Sequence, residues 1–240
     1  MLRVFANAVV ATVIAPVCAR CSTPLDDTLR DAVCSRCWAA IPPPADPLCD
    51  ICGDALNTWR SGSPPRRCTR CGRRARSITR GRSIAPYEGA LRDILRALKY
   101  HHRRSVARGL AQHMAQAGVH VLRGADLAVP VPLHWIRRYS RGFNQAEELA
   151  RHLPLPMSVA LRRSRATVTQ TDLPEARRHE NVDGAFSLRS RSAVEGRVIV
   201  LVDDVSTTGA TVDACARVLL AAGAREVRAL TAARAAARLP

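Results

Sequence analysis

The chain has 240 residues, is 47 % hydrophobic and carries a formal net charge of +17. That length holds one core domain of ordinary size and a small extra module, and no apolar run reaches the roughly 20 residues of a transmembrane helix. Such a charge favours phosphates, nucleic acid or other polyanions. Lys99 is the sole lysine, so nearly all of the charge is arginine, a bias that a GC-rich coding background also produces.

The expected organisation is an N-terminal helix over 1–17, a double zinc ribbon over 18–75 and an α/β domain over 83–240. Residues 4–17, VFANAVVATVIAPV, could pass for the core of a signal peptide. The flanks argue against one: Arg3 is the only basic residue before it, and Val17 before Cys18 is too large for a lipoprotein cleavage box. Leu2, Phe5, Val9, Val13 and Val17 follow helical spacing, so an amphipathic helix and a cytoplasmic location are expected.

Eight of the nine cysteines form four C-x-x-C knuckles: Cys18/Cys21, Cys34/Cys37, Cys49/Cys52 and Cys68/Cys71. Each knuckle offers two thiolates to one tetrahedral metal, so four knuckles make two closed all-thiolate sites and predict two structural Zn²⁺. Closed sites leave no position for catalysis. A disulfide framework would need an oxidising compartment, and nothing in the chain points to export. Consecutive pairing of the knuckles is simplest, and a crossed pairing stays open. Pro42, Pro43, Pro44 and Pro47 make a stiff spacer between the ribbons. Arg66, Arg67, Arg70, Arg73, Arg74, Arg76, Arg80 and Arg82 form a basic cluster, either a solvated face or a nucleic-acid surface. Cys215 stands alone and reads as a buried core residue.

From Ser83 onward the pattern is α/β. Helices are expected over 89–99 and 105–122, a strand over 127–133, a helix over AEELARHL, and further strands over 182–188, 198–202 and 226–232. Strands alternating with helices imply a parallel sheet with ligands at the strands' C-terminal ends. The loops after 127–133 and after 198–202 then face one crevice.

Residues 198–211, VIVLVDDVSTTGAT, carry the chemistry. An apolar β-branched strand ends in two carboxylates, Asp203 and Asp204. A small-residue turn follows, Ser206-Thr207-Thr208-Gly209-Ala210-Thr211, and then a helical pattern. Backbone amides and the helix N-terminus make a phosphate cradle there. The acids can accept from sugar hydroxyls or approach Mg²⁺. A ligand with both a diol and a phosphate fits, which describes ribose 5-phosphate. No Walker A lysine follows.

This stretch resembles the signature of type I phosphoribosyltransferases for 5-phosphoribosyl-1-pyrophosphate (PRPP). Two further segments, PVPLHWIRRYSRGFNQ over 130–145 and RSRATVTQTDLPEARRHENVDGAF over 163–186, look like the ComF family of competence-associated proteins, and the paired ribbons fit the same family. The resemblance covers nearly the whole chain. It implies a parallel sheet with helices on both faces plus an N-terminal zinc-binding module, and a role in handling incoming single-stranded DNA.

By the same resemblance the PRPP-binding stretch is Asp203, Asp204, Val205, Ser206, Thr207, Thr208, Gly209, Ala210 and Thr211, in which Asp203 and Asp204 hold the ribose and Ser206 to Thr211 the 5-phosphate. His134, Arg137, Arg141 and Asn144 line the pyrophosphate side, while Arg163, Thr167, Gln170, Arg178 and Asn181 form a mobile hood. Lys99, followed by Tyr100 as in the family, is expected to reach the crevice and contact pyrophosphate or an acceptor phosphate, where a compact ammonium suits better than an arginine fork. The implied reaction displaces pyrophosphate from the anomeric carbon, with Mg²⁺ and arginines (Arg137 and Arg141 among them) neutralising the leaving group. Thr207 stands where purine-salvage relatives carry an aspartate, which disfavours a 6-oxopurine acceptor. Three classes of function stay open: a working phosphoribosyltransferase, a single-stranded-DNA-handling protein that binds PRPP or phosphates without turnover, and an adaptor whose ribbons dock a helicase or recombination partner.

Overall fold

The computed structural model describes residues 16–25, 31–56, 66–100, 103–135, 138–139, 142–165 and 182–235. The expected N-terminal helix falls almost wholly outside them, as do Arg137, Arg141, Thr167, Gln170, Arg178 and Asn181. Among the described residues no helix is long and apolar enough to cross a membrane.

Four parallel strands form the centre of the α/β part. In spatial order they are β1 (Gly81–Pro86), β6 (Glu226–Arg234), β5 (Val198–Ser206) and β2 (Leu127–Pro130). Residues 198–202 are buried throughout because a strand inside a parallel sheet is covered on both faces. Its side chains alternate: Val200 and Val202 enter one apolar cluster, Ile199 and Leu201 the other. Helices α3 (Gly89–Tyr100) and α4 (Val106–Ala117) close the first cluster through Leu91, Ile94, Leu95, Leu98, Leu110 and Met114. Helix α7 (Ala210–Ala221) closes the second. Short helices α1 (Ser35–Ala39), α2 (Thr69–Arg73), α5 (Val119–Leu122) and α6 (Gln145–Ala150) complete the described set.

Three elements differ from expectation. The helix expected over 105–122 breaks at Gly118 into α4 and α5. There the chain runs against β6 so closely that a Cβ would lie 2.4 Å from Leu230 Cδ1. Only Phe186–Leu188 of the strand expected over 182–188 forms, as β4, because a turn takes up Asp183 and Gly184. It pairs antiparallel with β3 (Leu161–Arg163) in a separate two-stranded sheet, outside the parallel one. Strand β1 carries no apolar run (GRSIAP), which hid it from periodicity; β6 on one side secures it.

Candidate functional site

Strand β5 continues beyond its apolar half to Ser206, so Asp203 and Asp204 lie within the strand, near its C-terminal end. The Asp204 amide donates to Asp203 Oδ1 (2.9 Å) and the Val205 amide to Asp204 Oδ1 (2.6 Å), which fixes both carboxylates at the sheet's C-terminal edge. The loop proper is Thr207 to Gly209. Ala210 and Thr211 already belong to α7. Gly209 caps the helix at φ 79°, in the left-handed region that favours glycine. Thr208 Oγ1 accepts from the Ala210 amide at 3.3 Å.

Arginines hold this loop from one side. Arg70 Nη1 donates to the Thr207 carbonyl (3.4 Å) and Arg76 Nη2 to the Thr208 carbonyl (3.0 Å). In a trans peptide the carbonyl and the following amide point in opposite directions. The amides of Thr208 and Gly209 therefore face away from the two arginines, just ahead of the start of α7. Amides converging at a helix N-terminus form an anion site.

Lys99, on the last turn of α3, reaches the acids. Its Nζ lies 2.8 Å from Asp204 Oδ2 and 5.7 Å from the centre of the Tyr87 ring. Burial opposes the ammonium's charge, yet Asp204 more than offsets this and the Lys99 pKa lies above its ordinary value. Burial, aided by the charge of Asp204, pushes the Asp203 carboxyl up to about 8. Arg163, on β3, is near enough to work against that rise, and its guanidinium stands 5.4 Å from the Phe186 ring centre.

On the β2 side, His134 is buried beside the exposed Trp135, their rings 5.7 Å apart. Asn144 is the N-cap of α6. Its Oδ1 accepts from the Ala146 amide, and its Nδ2 donates to the Val131 carbonyl (3.1 Å) and to Glu147 Oε1 (3.4 Å). In this state Asn144 fixes the loop that follows β2. Of the residues expected at the site, the structure thus gathers Lys99, Asp203, Asp204 and the 205–211 segment, with Arg163 near Asp203, while His134 and Asn144 lie on the segment that follows the neighbouring strand β2.

The cysteines gather as two quartets, Cys18/Cys21/Cys34/Cys37 and Cys49/Cys52/Cys68/Cys71, with the four sulfurs of each within 4.8 Å of one another. The knuckles pair consecutively; the crossed arrangement is not adopted. A tetrahedral ion with Zn–S bonds of about 2.3 Å requires sulfurs about 3.8 Å apart. Cys21 and Cys34 stand at 3.7 Å, and Cys52 and Cys68 at 3.5 Å. All nine cysteines are free thiols, and Cys215 is fully buried. The residues therefore fit zinc at both quartets.

The two ribbons sit on opposite faces of the sheet. Cys18 and Cys37 join the cluster of α3 and α4, where Trp38 stacks against His113 with ring centres 4.4 Å apart. Trp38 Nε1 also donates to Asp31 Oδ2 at 2.7 Å. Cys52 instead shares a small cavity with Val212 and Ala229, on the α7 face. Its neighbour Asp54 accepts from Arg70 Nη2 (2.7 Å) and, in a fork, from Arg234 Nε (2.5 Å) and Nη2 (3.2 Å). Arg234 Nη1 donates onward to Ser206 Oγ at 2.9 Å. Thus part of the 66–82 basic cluster is internal: Arg70, Arg76 and Arg82 bind protein carbonyls, while Arg66, Arg67, Arg73 and Arg74 stay exposed.

A family model described as a phosphoribosyl transferase domain matches residues 139–240. The chain is 35 % identical over 191 residues to DNA utilization protein YhgH of Escherichia coli, covering 75 % of this chain and 81 % of that protein. The chain belongs to the ComF family. A second member, Competence protein F of Haemophilus influenzae, is 29 % identical over 210 residues, with 83 % of this chain and 89 % of that protein covered. Competence protein ComFC of Bacillus subtilis is 27 % identical over 206 residues, covering 80 % of each. In this ComF-family chain the phosphoribosyl transferase match takes in the acids and the β5–α7 loop but neither quartet.

Sequence reasoning missed Tyr87, Asp54 and Arg234 as neighbours of the site. Arg234 and Asp54 are 180 residues apart in the chain. The available signal was positional: Arg234 ends a strand of the parallel sheet, on the edge where ligands bind.

Proposed function

We propose that this ComF-family chain binds PRPP with Mg²⁺ at the β5–α7 loop and works in DNA uptake or nucleic-acid metabolism. With an acceptor present it would transfer ribose 5-phosphate and release pyrophosphate. The observation that carries the reading is the convergence, on one sheet edge, of two carboxylates, an anion-facing loop and a buried lysine. Thr208 and Gly209 would donate their amides to the 5-phosphate, and Asp203 and Asp204 would accept from the ribose hydroxyls. The carboxylate pair suits Mg²⁺, which prefers oxygen ligands and, when bound, would supply positive charge to the pyrophosphate. Lys99 would turn from Asp204 toward the pyrophosphate as the acids take up their ligands. Arg163 stands ready on the hood side.

Calorimetric titration with PRPP and Mg²⁺ tests this. Binding in the parent, and its loss in the doubly substituted Asp203→Asn/Asp204→Asn chain with the fold intact, is the expected result. Equal affinity in parent and variant would remove the acids from the site.

A role with single-stranded nucleic acid has its own support. Trp135 and Tyr139 are 70 % and 90 % exposed in the loop after β2, next to a strongly basic chain segment. Exposed aromatics beside arginines are what base stacking and phosphate contact require. The names of the relatives, DNA utilization and competence proteins, agree with that use.

A further inference from the structure

The second ribbon touches the β5–α7 segment at two points and the end of β6 at a third, while the first ribbon touches it at none among the described residues. Arg70, on α2 between Cys68 and Cys71, binds the Thr207 carbonyl; Arg76, just beyond Cys71, binds the Thr208 carbonyl; Arg234 binds Ser206 Oγ. Asp54 ties two of these arginines together and lies 3.8 Å from Cys68 Sγ. A continuous path of charged hydrogen bonds thus runs from the Cys49/Cys52/Cys68/Cys71 quartet to the loop. Asp213, in the first turn of α7, adds a further tie by accepting from the Ser77 amide at 2.7 Å.

Arg76 is placed unusually. Its Nε and Nη1 are buried and without a hydrogen-bond partner, and it makes no ion pair among the described residues. Its Nη1 lies 3.5 Å from where a Cβ on Gly209 would stand. A half-buried guanidinium beside the loop, without an ion-pair partner among the described residues, strengthens the loop's attraction for an anion, since it is screened less than a charge in open water.

We propose that the second ribbon is a working part of the anion site, with Arg70, Arg76 and Arg234 as positioning residues. Metal at the second quartet orders Arg70 and Arg76, which hold the carbonyls of Thr207 and Thr208 so that the amides face the ligand, and Asp54 links Arg70 to Arg234 on Ser206. Affinity for a sugar phosphate then depends on the second metal and hardly on the first. The inference rests on the reading of the β5–α7 loop as a ribose-5-phosphate site. Linkage makes the dependence reciprocal: a 5-phosphate in the loop tightens metal at the second quartet by the same factor that the metal tightens the phosphate.

The full-length zinc-loaded chain provides the test, with ribose 5-phosphate and PRPP–Mg²⁺ as probes. In Arg76→Met, affinity for both probes falls about tenfold, while zinc content and melting temperature stay near the parent's. Arg76→Lys recovers part of the loss, because an ammonium still reaches one carbonyl. Arg20→Met, beside the first quartet, leaves both affinities unchanged. Equilibrium competition with a chelator, at saturating ribose 5-phosphate, shows one of two zinc ions held more tightly and the other unaffected. In Cys52→Ser, which abolishes one quartet, that tightening disappears. If the parent binds the probes and Arg76→Met binds them equally well, or if both zinc ions respond alike to ribose 5-phosphate, the coupling is overturned and the phosphate reading stands. If the parent binds neither probe, the phosphate reading falls and takes the coupling with it.

Discussion

Lys99 Nζ and Asp204 Oδ2 are 2.8 Å apart, with side chains only 12 % and 14 % exposed. An ion pair this buried costs more to break on one side than it contributes as a pair, because the survivor keeps its charge without a partner. Lys99→Met should lower stability by about 3 kcal/mol, whereas Lys99→Arg should lower it far less but still weaken PRPP binding, since the planar fork does not fit between Asp204 and Tyr87. Chemical denaturation with calorimetry separates the two effects. A loss below about 1 kcal/mol in the methionine variant would put the pair in the class of exposed ion pairs.

Gly209 makes a second case. At φ 79° an L side chain is strained by about 1–2 kcal/mol. Gly209→Ala should therefore destabilise the chain by that order and weaken sugar-phosphate binding as the helix start shifts. Unfolding midpoints and binding titrations read both; a neutral substitution would show that the cap can relax.

Glu226 is pulled down to about 2, chiefly by hydrogen bonds from Arg228, which grips it at 2.8 and 2.9 Å. A carboxyl lowered on folding adds stability above its unfolded pKa, near 4.3, and that stability is lost as pH falls toward 2. Asp203, raised to about 8, has the opposite sign: its fold stability falls as pH rises from about 4 to 8. Glu226→Gln should flatten the acid limb of a stability–pH profile, and Asp203→Asn the neutral limb. A profile unchanged by either substitution would remove that group from the linkage.

Metal analysis of protein purified without chelator should find two zinc ions per chain, and Cys52→Ser or Cys21→Ser should each remove one. The fold should suffer more from Cys21→Ser, since Cys18 and Cys37 of that quartet lie in the core beneath α3 and α4, whereas the second quartet forms a small cluster of its own. Thiols oxidised in pairs, without metal, would instead indicate disulfides.

Single-stranded DNA should bind with an affinity that falls steeply with salt, as counterion release requires. Replacing Arg73 and Arg74 by glutamine should lower the slope, because both are exposed. Arg76, spent on the Thr208 carbonyl, should not contribute to it. A slope indifferent to Arg73 and Arg74 would place the strand elsewhere, with Trp135 and Tyr139 the next candidates.

Local patterns were enough for much of this protein. The C-x-x-C spacing announced two tetrathiolate sites, because two thiolates on one knuckle need only neighbouring residues. The run VIVLV, the acids after it and the small-residue turn announced a buried strand leading to a short loop and a helix start, because strand, loop and helix start are contiguous. The solitary lysine pointed to the crevice by its contrast with the arginines. Other features depended on residues far apart in the chain. The spacing alone left the crossed knuckle pairing open, which the fold excludes, and the weak strand β1 was secured by its neighbour β6. The basic cluster looked uniform along the chain, yet the fold turned Arg70 and Arg76 inward and left Arg73 and Arg74 in water. The bond from Asp54 to Arg234 spans 180 residues, and no local propensity encodes a contact of that range. Hydrogen bonds between distant segments form only once the sheet has brought their ends together, which is why the link from the second ribbon to the β5–α7 loop belongs to the tertiary structure alone.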